Sequence, residues 1–215
     1  MSLKLYYHPL SSFCHKVLIA LYENDIPFEP VLVDLGNEES RTAFKKIWPI
    51  GKFPVLRDDA RDRTVPESTT IIEYLGQHYP GKTRFIPEDP ELARQVRFRD
   101  RFYDLHVHMH MQKVIGDRLR PADKKDPYGV EDAQRRMRIA YDMIEQDMAT
   151  KTWAMGDAFT MADCAAGPPL FYGNMQIPFE KTHPKAHAYL ERLKARPSYA
   201  RALKEAQPYF DLLPK

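Results

Sequence analysis

Apolar and polar positions change period several times along the first eighty residues, and each change marks an element. "LKLYYH" is a β-rich run that stops at Pro9, and it predicts a strand. "SFCHKVLIALYEN" then sets Phe13, Val17, Ala20 and Leu21 on one helical face. "FEPVLVDL" reads as a second strand and "EESRTAFKKIW" as a short polar helix. "FPVLRDD" and "RTVPES" follow as two strands around a charged turn, and "STTIIEYLGQHYP" as a helix that Ser68 is placed to cap. The order is βαβαββα. A β-α-β start demands a crossover connection, right-handed in nearly all cases, so a small mixed sheet covered by helices is expected.

Beyond Tyr79 the pattern shifts through "PGKTRFIPEDPE", a Pro-rich stretch with one glycine. Strand signals then all but vanish, and helical periodicity runs through 91–118, 129–150, 160–173, 183–195 and 198–206. The expected organisation is an α/β domain over 1–80, a linker over 81–89 and an all-helical domain over 90–215.

Composition narrows the function. With 215 residues, 43% of them hydrophobic, the chain can bury the cores of two domains. Lys and Arg number 32 against 30 Asp and Glu, a net charge of +2, which gives no basic field for nucleic acid and favours small-molecule partners. No apolar run approaches the roughly 20 residues of a membrane span, and "MSLKLYYHP" lacks the regions of a signal peptide, so no membrane partner and a cytoplasmic location are expected. Cys14 and Cys164 are too few for a disulfide framework or a four-cysteine zinc site.

Three short segments could carry chemistry. Ser11-Ser12-Phe13-Cys14 has the spacing of a redox C-x-x-C motif with serine at the attacking position, so dithiol exchange is not available. Ser11 instead offers a hydroxyl beside a helix N-terminus, where dipole and free amides favour an anion such as a thiolate. Read locally, Ser11 or Ser12 also fits a plain helix cap, and Cys14 fits packing. In "IGKFPVL", Pro54 opens a strand; a cis Phe53–Pro54 bond would let the next residue turn its backbone toward an extended peptide, with Lys52 near a ligand carboxylate. In "PES", Ser68 and the following amides could hold a carboxylate while Glu67 faces an ammonium.

Together with "AFTMADC" farther on, these segments resemble the cytosolic glutathione S-transferases, bacterial-type members with a serine or cysteine in the first loop above all. The resemblance spans nearly the whole chain. It implies a thioredoxin-like first domain, a helical second domain that contributes the electrophile site, and a homodimer. Glutathione is then the co-substrate, with no metal. Motif by motif, it implies that Ser11 activates the thiol and that Phe53, Pro54 and Val55 meet the cysteinyl backbone. Glu67 and Ser68 would hold the γ-glutamyl end, and Lys52 the glycyl carboxylate. Tyr7 falls where tyrosine-using classes carry their hydroxyl; the "SSFC" loop favours Ser11 over Tyr7, with Ser12 behind both. A thiol of pKa about 8.5 is only about 3% ionised at pH 7, so stabilising the thiolate is the central task of such an enzyme. Glutathione-dependent isomerisation or dehalogenation would use the same first domain, and a non-catalytic binding or regulatory protein could keep the same fold.

In the helical part, Thr160 and Asp163 have the spacing of a capping box and are read as structural. Phe98, Phe102, Leu105 and Met109 form a stripe read as core, and Tyr103, His106 and His110 an adjoining face read as bordering the electrophile pocket. His106 and His110 share the i,i+4 spacing of zinc ligands, but no third ligand completes a site, and no metal is expected.

Overall fold

Leu3–Tyr7 forms β1, Glu29–Leu32 β2, Val55–Asp58 β3 and Arg63–Pro66 β4, in a sheet of order β2-β1-β3-β4. The computed structural model describes residues 2–213. β1 runs parallel to β2, with Tyr7 opposite Leu32, and antiparallel to β3, with Tyr6 opposite Val55. The parallel pair is joined by helix α1, Ser12–Glu23, the crossover that such a pair requires. Helices α2, Glu38–Ile47, and α3, Ser68–His78, complete the βαβαββα order expected from the sequence.

Strand alternation sends Tyr6 and Tyr7 to opposite faces. Tyr6 packs with Val33, Phe44 of α2 and Val55. Tyr7 lines a cleft bordered by the end of α1. Asp58, fully buried at the end of β3, accepts from the hydroxyls of Tyr74 at 2.8 Å and Tyr79 at 2.7 Å, which ties α3 to the sheet.

Two units cluster separately. The first comprises the chain up to Phe85 together with Pro197–Phe210, the second Ile86–Arg196. Helix α9, Pro197–Ala206, therefore groups with the first unit, where it packs on α1, rather than with the helical domain where the sequence places it. Ser198 at its start donates to Glu23 of α1 across 2.8 Å, a contact far apart in sequence that no local pattern could reveal.

The second unit is helical: α4 Pro90–Phe102, α5 Met109–Arg118, α6 Pro127–Asp147, α7 Met161–Gln176 and α8 Pro184–Ala195. Asp89 caps α4 through the Leu92 amide at 2.8 Å, ahead of a proline in the first turn. The single helix expected over 91–118 is interrupted by a π-helical turn, Tyr103–His108. The core-facing stripe also differs from the one read in the sequence. It runs through Val96, Asp100, Tyr103, Val107, Met111 and Val114, while Phe98, Leu105 and Met109 are 55%, 43% and 51% exposed. Buried polar side chains at Asp100, Asp104 and His108 occupy positions that hydrophobic patterning assigns to solvent. Phe102 alone of the expected stripe is buried.

The capping box at α7 forms as expected. The Thr160 amide donates to Asp163 Oδ2 at 2.8 Å, and Asp163 Oδ1 also accepts from the Ala154 amide at 2.8 Å and the Tyr189 hydroxyl at 2.6 Å. Among the described residues no helix is long and apolar enough to cross a membrane.

Candidate functional site

The loop between β1 and α1 is held by its own backbone. The Ser11 amide donates to the His8 carbonyl at 3.0 Å, and the Ser11 carbonyl accepts from the His15 amide at 2.9 Å. Ser11 is the N-cap of α1, and its Oγ accepts from the Cys14 amide at 3.3 Å. The capping role and a catalytic role are compatible here, because capping uses a lone pair and leaves the O–H proton to donate elsewhere. Ser12 begins the helix and is buried. Cys14 is fully buried, and that burial pushes its thiol up to about 12 against the opposing bonds from Ser11 and His8, so it stays a protonated packing group.

The second loop carries a cis Phe53–Pro54 bond. Val55 behind it is fully buried and lies in register with Tyr6 on one side and Pro66 on the other, and Pro66 has no N–H to give. Phe53 stacks on the His8 ring with centroids 6.1 Å apart, so the two loops meet. Lys52 is exposed beside them.

At the third loop, Glu67 is the N-cap of α3 and has φ 69° and ψ 123°. A glutamate in that region is strained by about 1–3 kcal/mol, a cost characteristic of functional positions. Its carbonyl accepts the Ile71 amide at 2.9 Å and its side chain is exposed. Ser68 is the first helical residue and not the cap that the sequence suggests. Its side chain is buried and has no protein hydrogen-bond partner among the described residues. The first amides of α3 lack intrahelical acceptors, as at any helix start, so a hydroxyl and several N–H donors converge there beside a carboxylate.

The remaining candidates lie elsewhere. Tyr7 is half-buried, and burial together with Glu205 raises its hydroxyl pKa. Tyr103 is buried in the core of the second unit, its pKa raised by burial and by Asp163, and its hydroxyl bonds with Tyr189. His106 is exposed, and His110 is half-buried, its pKa lowered by burial, Arg136 and His106. The π turn and the buried Tyr103 therefore break up the face expected from helical spacing. No group of three or more His, Cys, Asp or Glu side chains able to hold a metal ion occurs among the described residues. Two features escape sequence reasoning: the Glu67 backbone, and His15, whose Nε2 reaches back to the Pro9 carbonyl.

A four-stranded βαβαββα unit with a half-buried loop hydroxyl, a cis-proline loop and a strained Glu-Ser helix start, followed by a helical unit, defines a two-domain class with a thioredoxin-like first part. Residues 5–83 match the family model "Glutathione S-transferase, N-terminal domain", and residues 102–197 match "Glutathione S-transferase, C-terminal domain". The chain belongs to the cytosolic glutathione S-transferases, a family of enzymes. It is 25% identical over 185 residues to glutathione S-transferase GstB of Escherichia coli K12, covering 85% of this chain and 88% of that one. It is 27% identical over 207 residues to glutathione S-transferase F13 of Arabidopsis thaliana, covering 93% and 94%. A glutathione S-transferase from Methylobacillus flagellatus, solved with glutathione bound, superposes with a TM-score of 0.85 at 25% identity, covering 94% of this chain and 98% of that one.

Proposed function

We propose that the first unit binds glutathione and that Ser11 donates a hydrogen bond to its sulfur, stabilising the thiolate for attack on an electrophilic, largely apolar substrate. The observation that carries this reading is the Ser11 Oγ, which accepts the Cys14 amide at the start of α1 and keeps its proton available. Lowering the pKa of a thiol by about two units takes roughly 2.7 kcal/mol of preferential interaction with the anion. A charge-assisted hydrogen bond plus the partial positive charge of a helix N-terminus supplies that amount. Ser11 need not lose its proton. Tyr7 is the weaker candidate because it borders a cleft with Glu205, whose charge opposes a nearby anion.

Glu67 and Ser68 form the clamp for the γ-glutamyl end, the carboxylate facing the ammonium while hydroxyl and helix amides face the carboxylate. Phe53, Pro54 and Val55, at the start of β3, present their backbone to the cysteinyl backbone, and Lys52 meets the glycyl carboxylate. The relative from Methylobacillus flagellatus, solved with glutathione bound, supports glutathione as the ligand of this fold. His106 and His110 remain candidates for the electrophile side. The working form is a cytoplasmic homodimer, supported by large apolar side chains exposed on the helical unit. The test is turnover of a panel of aryl halides and α,β-unsaturated carbonyls with glutathione, alongside calorimetric titration with glutathione. Conjugation of at least one class together with saturable binding is expected. Saturable binding without turnover of any class would favour a binding or regulatory protein, and absence of binding would overturn the assignment.

A further inference from the structure

Lys16 is only 1% exposed, one of the largest side chains sealed inside the protein. Its neighbours along α1, from Cys14 to Leu21, are buried with it. Lysines are almost never fully buried unless partnered, because taking a charge out of water is costly. A methionine of similar length would fill the same space without that cost. Here the ammonium reaches another helix: Nζ donates to Thr69 Oγ1 across 2.8 Å, between residues 53 positions apart.

Thr69 stands in the first turn of α3, directly after Ser68. The Ile71 amide bonds the Glu67 carbonyl, so the amides of Ser68, Thr69 and Thr70 precede the ladder within the helix. The Glu67 side chain does not cap them. Lys16 thus brings a positive charge to the turn whose amides and Ser68 hydroxyl receive the γ-glutamyl carboxylate in the reading above. A helix N-terminus already favours an anion, and a charge held in the protein interior is screened little by salt. Lys16 also belongs to the helix that Ser11 caps, and α1 packs against α3. One buried side chain therefore ties the helix that presents the hydroxyl for the sulfur to the helix that grips the far end of the peptide. We propose that Lys16 is a positioning residue for glutathione: through Thr69 it fixes the first turn of α3, and its charge makes that turn selective for the α-carboxylate of the γ-glutamyl group. Being buried, the ammonium acts through Thr69 and through its field, not by contact with the ligand.

This role rests on the reading of the first unit as a glutathione site, and two peptides keep the two questions apart. Glutathione and 4-aminobutanoyl-Cys-Gly, which lacks only the α-carboxylate, are titrated calorimetrically into the full-length parent, Lys16→Met and Thr69→Val. The parent should prefer glutathione. Lys16→Met should bind glutathione about tenfold more weakly, the scale of a charge beside a helix start, and the shortened peptide within about twofold of the parent. Thr69→Val keeps the charge but removes its anchor, and should show the same selective loss at about threefold. It replaces a half-buried side chain by one of the same shape, so its selective loss can be read even where Lys16→Met lowers stability. In turnover, the loss should fall on KM for glutathione and leave kcat at saturation within about twofold of the parent. A merely structural role would weaken both peptides alike. Equal losses for the two peptides, or undiminished glutathione binding in both variants, would overturn the proposal and leave the glutathione reading standing. A parent that binds neither peptide would overturn both.

Discussion

The imidazole Nε2 of His15 donates to the carbonyl of Pro9 across 2.6 Å, reaching from α1 back over the loop that presents Ser11. A carbonyl only accepts, so Nε2 carries the proton, and the ring is buried against Tyr199 of α9. Burial pushes the His15 pKa down to about 4 against the opposing pull of the Pro9 bond. The unfolded chain takes up a proton near pH 6.5 that the folded chain refuses until about pH 4. This contribution is therefore fully present above about pH 6.5 and lost as pH falls through that window, about 3 kcal/mol in all. His15→Gln keeps a donor without titrating. Urea midpoints measured from pH 4 to pH 7.5 should rise less steeply with pH in His15→Gln than in the parent, and identical slopes would remove His15 from this role.

Ser11 and Tyr7 offer the same hydroxyl chemistry from different surroundings, and the thiol itself reports which one is used. Loss of a charge-assisted bond of roughly 1.5–3 kcal/mol should raise the pKa of bound glutathione by about one to two units in Ser11→Ala. Tyr7→Phe should leave it nearly unchanged. Ultraviolet titration of the bound thiolate, run with Ser12→Ala and Cys14→Ala as controls, decides between them. Since Ser11 also caps α1, Ser11→Ala should lose about 1 kcal/mol of stability and Ser11→Gly only a few tenths. Both should show the same raised thiol pKa, which separates catalysis from capping.

The positive φ of Glu67 sets binding against stability. Glycine tolerates this conformation without strain, so Glu67→Gly should gain about 1 kcal/mol of stability while losing the carboxylate of the clamp. Calorimetry should show glutathione binding weakened at least tenfold in Glu67→Gly and in Ser68→Ala, and less in Lys52→Ala, whose flexible point charge is exposed. A Ser68→Ala protein that binds as tightly as the parent, beside a Lys52→Ala protein that does not bind, would reverse the assignment.

The first unit was legible in the sequence because its signals are local. Strand alternation, turn residues and Pro9 or Pro54 at strand ends each act within a few positions, and the order βαβαββα followed from them. The second unit was legible in its helices and its capping box but not in its faces. Asp100, Asp104 and His108 are buried against hydropathy, and a π turn interrupts the helix after Phe102, so Tyr103 is buried while His106, expected on the same face, is exposed. α9 was legible as a helix, but its partner α1 lies almost the whole chain away, and no spacing rule reaches that far. Of the candidate site, residue types and loops were readable. The backbone of Glu67 and the reach of His15 are properties of the folded chain.

Asp163 should contribute more than an ordinary cap. Burial raises its pKa, while bonds from Ala154, Tyr189 and Thr160 oppose that rise. Its two oxygens accept from two amides and two hydroxyls, so Asp163→Asn turns an amide NH₂ toward groups that only, or mainly, donate. The expected loss is roughly 2–4 kcal/mol, against about 1 kcal/mol for Thr160→Ala. Urea unfolding of the two variants checks the ratio. Equal losses would mean that Asp163 acts only as half of the capping box.

The exposed apolar side chains of the second unit lead to the last prediction. Phe98, Leu105 and Met109 lie along α4, the π turn and α5, and Ile139 and Met143 one turn apart on α6, each between 42% and 55% exposed. α6 packs against both α5 and the π turn, so these residues belong to neighbouring elements of one unit. Completing the burial of such a side chain contributes up to about 1.5–3 kcal/mol. Several together offset the roughly 4–15 kcal/mol of rotational and translational freedom lost on association. A second copy of the chain is the expected partner, on a self-complementary surface. Sedimentation equilibrium at micromolar concentration should show a species of twice the 25.1 kDa monomer mass. Met109→Glu and Ile139→Glu change exposed positions and should leave thermal unfolding of the isolated subunit intact while shifting the protein to monomer. A parent that sediments as a monomer, or glutamate variants that stay dimeric, would assign these side chains some role other than self-association.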